Sequence, residues 1–115
     1  MATQTTLEAL FGGKAAARVL LFMENYGEGY AARISKTFEM PLSEVQKQFT
    51  KFEQAGILVS RMVGPSRIYT WNPRDPALEG LRLILRETLD KGIPEKTLKD
   101  FYRQRQRPRR KDKPL

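Results

Sequence analysis

The sequence predicts a mainly α-helical domain with a two-stranded β-hairpin set late in the chain and extra helices at both ends. Three observations carry that prediction. Apolar residues recur every three to four positions through most of residues 6–55 and again from residue 77, the period of a helix with one buried face. Between these regions, Ile57 to Val63 and Arg67 to Trp71 are extended runs on either side of Gly64-Pro65-Ser66, the pattern of a hairpin. Glycine and proline mark most of the boundaries of the periodic stretches.

Thr6 to Phe11 reads as a short first helix that ends at Gly12-Gly13. Lys14 to Tyr26 follows as a stronger one, with Ala16, Leu20 and Met23 on one face and Val19 and Phe22 widening it. Asn25 to Gly29 reads as a loop. Ala31 to Phe38 is a short helix with Ala31, Ile34 and Phe38 aligned, and Pro41 stops it by disfavouring the α conformation at Met40. Ser43 to Ala55 is the clearest helix: Ser43 and Gln46 have capping-box spacing, and Val45, Phe49 and Phe52 form its apolar stripe. Gly56 ends it. The hairpin spans residues 57–71 with a three-residue turn at Gly64-Pro65-Ser66, and Tyr69 and Trp71 alternate onto one face as packing residues. Ala77 to Lys91 is helical, Gly92 stops it, and Pro94 opens a last amphipathic piece carrying Leu98, Phe101 and Tyr102.

At 115 residues the chain is one ordinary domain. Cysteine and histidine are both absent. That removes disulfides, Cys/His zinc sites, a cysteine nucleophile and a histidine-based triad or proton shuttle. No pair of carboxylates suggests acid–base work, so the expectation is a non-enzyme with no metal and no cofactor. Gly12-Gly13-Lys14 lacks the spacing of a phosphate loop, with Ala15 where a magnesium-binding hydroxyl would stand, and reads as a helix boundary. The longest apolar run, Val19 to Met23, is far short of the ~20 residues of a membrane span. With no leader-like pattern at the start, the expected location is the cytoplasm.

The net charge of +8 is uneven. Residues 1–75 carry 9 basic and 7 acidic side chains, and residues 76–102 carry 5 of each. From Arg103 onward there are 7 basic residues against Asp112 alone, in RQRQRPRRKDKPL. Such a segment has nothing to bury and reads as a disordered tail. It is either a solubilising terminus or a phosphate-binding arm, the latter favoured by arginine's bidentate pairing with phosphate.

The order helix, helix, short helix, tight turn, capped helix, hairpin, helix is the plan of a winged helix-turn-helix. The residues themselves also resemble that family. Leu10-Phe11-Gly12-Gly13-Lys14 before an Ala/Arg-rich helix is similar to the opening of small prokaryotic winged-helix regulators. Val45 to Leu58, VQKQFTKFEQAGIL, resembles the recognition helix and glycine exit of arsenical-repressor-like (ArsR-type) regulators. Tyr69-Thr70-Trp71-Asn72-Pro73 with Pro76 is similar to the close of the hairpin in some single-domain members. The resemblance covers about residues 7–90 and departs from metal-sensing members in lacking Cys and His. It implies a winged domain at 5–91, followed by a C-terminal amphipathic helix at 92–102 and the basic tail at 103–115.

That plan lays the capped helix in the major groove of double-stranded DNA. With Val45, Phe49 and Phe52 inward, Ser43, Lys47, Thr50 and Gln54 face outward, flanked by Gln46 and Lys51. Gln suits adenine, Lys the guanine acceptors, and the Thr methyl the thymine methyl, while Ser43 suits phosphate. Glu44 lies at the edge of this face. Arg61 and Arg67 flank the hairpin turn and suit the backbone or minor groove. Arg33 and Lys36 on the preceding helix suit backbone contact or simply solvate it.

Leu78, Leu81, Leu85 and Leu89 form a stripe, with Leu98 and Phe101 beyond. Such a stripe is either core or, as the family resemblance implies, part of a homodimer interface. The expected function is therefore sequence-specific regulation of transcription by a DNA-binding homodimer. The alternatives are a module that binds a protein partner, antitoxin-like or adaptor-like, and a non-specific nucleic-acid binder driven by the tail.

Overall fold

The computed structural model describes residues 3–102. Within them are six helices and one three-stranded antiparallel sheet. α1 (Gln4–Phe11) begins earlier than the periodicity suggests because Thr3 caps it, its side chain accepting from the Thr6 N–H at 3.2 Å. α2 (Lys14–Tyr26) is the central element, buried continuously from Val19 to Tyr26. A helix covered nearly all round belongs in a core, and α1, α4 and α5 all pack on this one. Its burial includes two polar residues. Glu24 is held by Arg82 at 2.7 Å and Arg86 at 3.4 Å, and Asn25 donates to the Tyr102 carbonyl at 3.2 Å.

The segment read as a loop contains β1 (Glu28–Gly29). Its pairing partner is β3 (Ser66–Trp71), with Glu28 opposite Thr70 and Gly29 opposite Tyr69. Gly29 sits in a tight spot, since a Cβ there would stand 3.1 Å from Met23 Sδ and 3.3 Å from a Phe22 ring carbon, so those side chains would have to give way. β2 (Leu58–Val63) completes the sheet in the order β1-β3-β2, so the expected two-stranded wing has a third strand.

Val63 pairs with Ser66, so the hairpin turn is the two residues Gly64-Pro65 rather than three. Gly64 takes φ 59°, and proline fixes a negative φ after it, the sign pattern of a II′ turn that matches strand twist.

α3 (Ala31–Phe38) and α4 (Leu42–Gln54) are joined by Glu39-Met40-Pro41. Glu39 holds φ 55°, a left-handed conformation that favours glycine. Ser35 fastens the turn: its hydroxyl donates to the Met40 carbonyl at 2.5 Å, and its carbonyl accepts the Met40 N–H at 3.0 Å. The expected Ser43/Gln46 capping box is not formed. Pro41 occupies the N-cap, and its carbonyl takes the Glu44 and Val45 N–H groups. Ser43 therefore lies inside the first turn, too late to cap it.

α5 (Leu78–Lys91) carries the leucine stripe. Leu85 and Leu89 have 0% exposure within the single chain, and Leu78 and Leu81 are partly buried against the same core. α2 packs against α5, so Leu85 and Leu89 are covered within the single chain, while Leu78 and Leu81 keep part of their surface exposed. α6 (Glu95–Phe101) likewise packs inward. Leu98 and Phe101 lie on the core, and the Phe101 ring sits 4.9 Å from that of Phe38. The Tyr26 hydroxyl donates to the Phe101 carbonyl at 2.9 Å. Residues 92–102 thus share the core of the preceding unit. The basic tail lies outside the described residues. No described helix is long and apolar enough to cross a membrane.

Candidate nucleic-acid interface

α4 divides cleanly into two faces. Val45, Phe49 and Phe52 are buried, and Phe49 stacks flat on Tyr69 of β3 with ring centroids 4.0 Å apart. Such a pair contributes about 0.5–1.5 kcal/mol beyond its buried area and fixes α4 against the sheet. Ser43, Gln46, Lys47, Thr50 and Gln54 are exposed on the other side. Glu44 is turned along the helix, accepting from Gln48 Nε2 at 2.9 Å. Its position in the first turn suits the positive end of the helix dipole.

Two of the cations proposed from sequence have other engagements. Lys51 is exposed, but its Nζ donates to the Phe11 carbonyl at 3.2 Å and sits 5.0 Å from the Phe52 ring centroid. It ties α4 back to the end of α1. Arg33 lays its guanidinium over Phe22 at 5.3 Å and over Tyr26 at 4.9 Å. Lys36 and Lys47 are exposed, and their side chains make no hydrogen bond or ion pair among the described residues.

The two hairpin arginines stand on opposite faces. The register pairs Met62 with Arg67 and Arg61 with Ile68. By alternation Arg67 shares the face of Tyr69 and Trp71, which meets α4, while Arg61 shares the outer face with Val59 and Val63. Arg67 Nη1 donates to Ser60 Oγ at 3.0 Å, and Ser60 Oγ donates to Glu53 Oε2 at 2.7 Å.

Between α4 and the hairpin runs a cleft of about 580 Å³. Gln46, Thr50 and Arg67 line it, and so do residues the sequence did not single out for binding: Tyr30, Ala31 and Ala32 at the start of α3, and Ser66 in the hairpin. Tyr69 was read as packing, and its ring does pack, but the residue also lines the cleft. No sequence signal marks these residues, because α3 is brought to the cleft by tertiary contacts, its packing on α4 and the pairing of Gly29 with Tyr69 just before it.

Burial, reinforced by the Glu53 carboxylate, pushes the Tyr69 phenol above its ordinary pKa, and Arg67 pulls it back. It stays a hydroxyl donor near neutrality. Among the described residues, no cluster of three acidic side chains could hold a metal ion. Comparisons of the chain with family models, with curated proteins and with solved structures find no match.

Proposed function

We propose that the chain is a winged helix-turn-helix protein that binds double-stranded DNA with sequence specificity and regulates transcription. α3, the Glu39–Pro41 turn and α4 serve as the helix-turn-helix, and the β2–β3 hairpin serves as the wing. One observation carries the reading: α4 keeps Ser43, Gln46, Lys47, Thr50 and Gln54 exposed on a single face, beside a hairpin that brings Arg67 to the same cleft. These are side chains that pair with base edges and phosphates. In this reading the chain works in the cytoplasm by binding alone, as a homodimer on two half-sites. The contact between copies lies elsewhere than Leu85 and Leu89, which are already covered.

Selection of bound fragments from random duplex DNA, followed by titration against scrambled competitor, tests the proposal. An enriched inverted repeat is the expected result. Salt-sensitive binding with no enrichment refutes sequence specificity, and absence of any duplex binding refutes the reading as a whole.

A further inference from the structure

The sheet ends on one side in a strand that pairs with nothing further. In the order β1-β3-β2, β1 is two residues long, so β2 is the full-length edge. The ladder decides which of its backbone groups face outward. The Asn72 N–H donates to the Ile57 carbonyl at 2.9 Å, which makes residues 57 and 72 a bonded pair. By alternation Val59, Arg61 and Val63 exchange bonds with β3, and the N–H and C=O groups of Leu58, Ser60 and Met62 point away from it. Among the described residues these outward backbone groups have no partner. Such an edge templates another strand unless lysine, proline or a bulge blunts it. β2, LVSRMV, contains no lysine or proline and pairs with β3 over all six residues without a bulge. Of the seven large apolar side chains left exposed among the described residues, three, Val59, Met62 and Val63, fall on this one strand.

We propose that two copies of the chain join at this edge, β2 running antiparallel to β2 of the second copy about a two-fold axis at Ser60. In that register Leu58, Ser60 and Met62 meet Met62, Ser60 and Leu58 of the second copy, and the outward groups are satisfied in about six hydrogen bonds. Met62, 54% exposed, gains an apolar neighbour in Leu58 of the second copy. Arg61 stands opposite Val59 of the second copy. Charge balances at the axis: Ser60 Oγ donates to Glu53 and accepts from Arg67, so each copy brings one carboxylate and one guanidinium. The neighbouring register toward the turn sets Arg61 against its own copy, like charge on like. The one away from the turn carries Met62 past the end of the second copy's strand, to Gly56. An unrelated peptide could use the same backbone groups, and this matching of side chains and charge is what selects a second copy. The axis stands perpendicular to the sheet, so both α4 helices fall on one side of it with their exposed faces turned the same way. The joint lies away from Leu85 and Leu89, rests on the sheet alone and is tested without DNA.

The experiment uses the full chain. A joint of one strand pair is small, so the copies part on dilution to the micromolar samples of an optical melt. Sedimentation is therefore followed from micromolar to millimolar concentration, and amide hydrogen exchange is read by NMR over the same series. Met62→Pro removes an outward N–H and no bond to β3, at an edge position where proline is tolerated. Met62→Lys, a charge on the edge, replaces it if the proline variant does not fold. Because the chain has no cysteine, Ser60→Cys introduces a single thiol. At the axis its Cα lies about 5.5 Å from that of the second copy, within disulfide range, whereas Arg61→Cys lies diagonally and out of range. A synthetic strand of alternating valine and threonine serves as the unrelated occupant.

The expected result is a dimer that forms as concentration rises. Exchange at the Ser60 and Met62 amides slows about tenfold when about nine-tenths of the chain is paired, while Val59, Arg61 and Val63, already bonded to β3, change little. The Met62 variant stays monomeric, and mild oxidation cross-links Ser60→Cys but not Arg61→Cys. A parent that remains monomeric at millimolar concentration overturns the proposal, and if the synthetic strand then protects the same amides, the edge takes an unrelated strand instead. A dimer whose Ser60 and Met62 amides exchange as fast as in the monomer overturns it too, since the copies then meet elsewhere. Specific duplex binding alongside either of these results leaves the DNA reading standing. A paired chain that binds no duplex supports the joint, while the DNA reading falls.

Discussion

Lys47 and Lys51 are one helical turn apart on α4, and the structure predicts that they fail in opposite ways. Lys47 is exposed and has no partner among the described residues, so Lys47→Ala leaves the fold unchanged. If it reaches a base edge or phosphate, its loss costs about 1–3 kcal/mol on the preferred site, roughly five- to 150-fold in affinity. Lys51 has the tether to the Phe11 carbonyl at 3.2 Å and the Phe52 ring at 5.0 Å. An exposed charged hydrogen bond with a cation–π contact contributes about 1 kcal/mol once solvent screening is allowed for. Lys51→Ala then lowers Tm by about 4 °C for a domain of this size. Its affinity falls only through lost long-range charge, and falls more at low salt. Fluorescence anisotropy on a selected duplex and melting followed by circular dichroism read the two effects separately. Equal affinity losses with an unchanged Tm for Lys51→Ala would refute the division of labour and place both lysines on the DNA.

Three further outcomes follow from the packing. Leu85→Ala, at a site of 0% exposure, should destabilise by about 3–5 kcal/mol, with a Tm independent of protein concentration. Leu83→Ala, at 49% exposure, should stay within about 0.5 kcal/mol. A concentration-dependent Tm sensitive to Leu85 would restore the interface reading. Glu39→Gly should raise stability by about 0.5–1 kcal/mol in denaturant titrations, because the left-handed penalty removed exceeds the added chain entropy. A loss of stability there would mean that the Glu39 side chain matters to the turn.

Burial raises the Tyr102 phenol well above its ordinary 10.0. The folded state therefore keeps a proton that the unfolded chain releases above about pH 10, so this stability is complete below that pH and is lost as the pH rises beyond it. Melts across pH 9–12, alongside ultraviolet phenolate titration, should show Tyr102 ionising only with unfolding. Ionisation at its ordinary pKa in the folded protein would contradict its burial.

Much of this architecture could be read from the chain. Val45, Phe49 and Phe52 announce α4 because a long amphipathic stripe has a period that survives without tertiary context. Its first residue was harder, since Pro41 and Ser43 are both acceptable openings and only the Pro41 carbonyl's bonds decide between them. β1 could not be read at all: two residues have no period, and Glu28–Gly29 is a strand only because residues forty positions later lie beside it. The leucines of α5 were legible as an apolar face but not as core, because periodicity marks what must be covered and not what covers it. The same limit applies to the cations. Lys51 and Lys47 look alike in sequence, and the Phe11 carbonyl that separates them comes from another helix.

The parity of the hairpin gives it two independent addresses. Arg67 faces the cleft, whereas Arg61 is carried on the reverse side between Val59 and Val63, both exposed, at 39% and 51%. A single bound strand on the α4 side meets only one of these arginines. Moving Arg61 to that side would require an odd shift in pairing, which would also turn Tyr69 or its partners out of the core. The back of the hairpin is thus a separately tunable surface, free to change its chemistry without disturbing the face that packs toward α4.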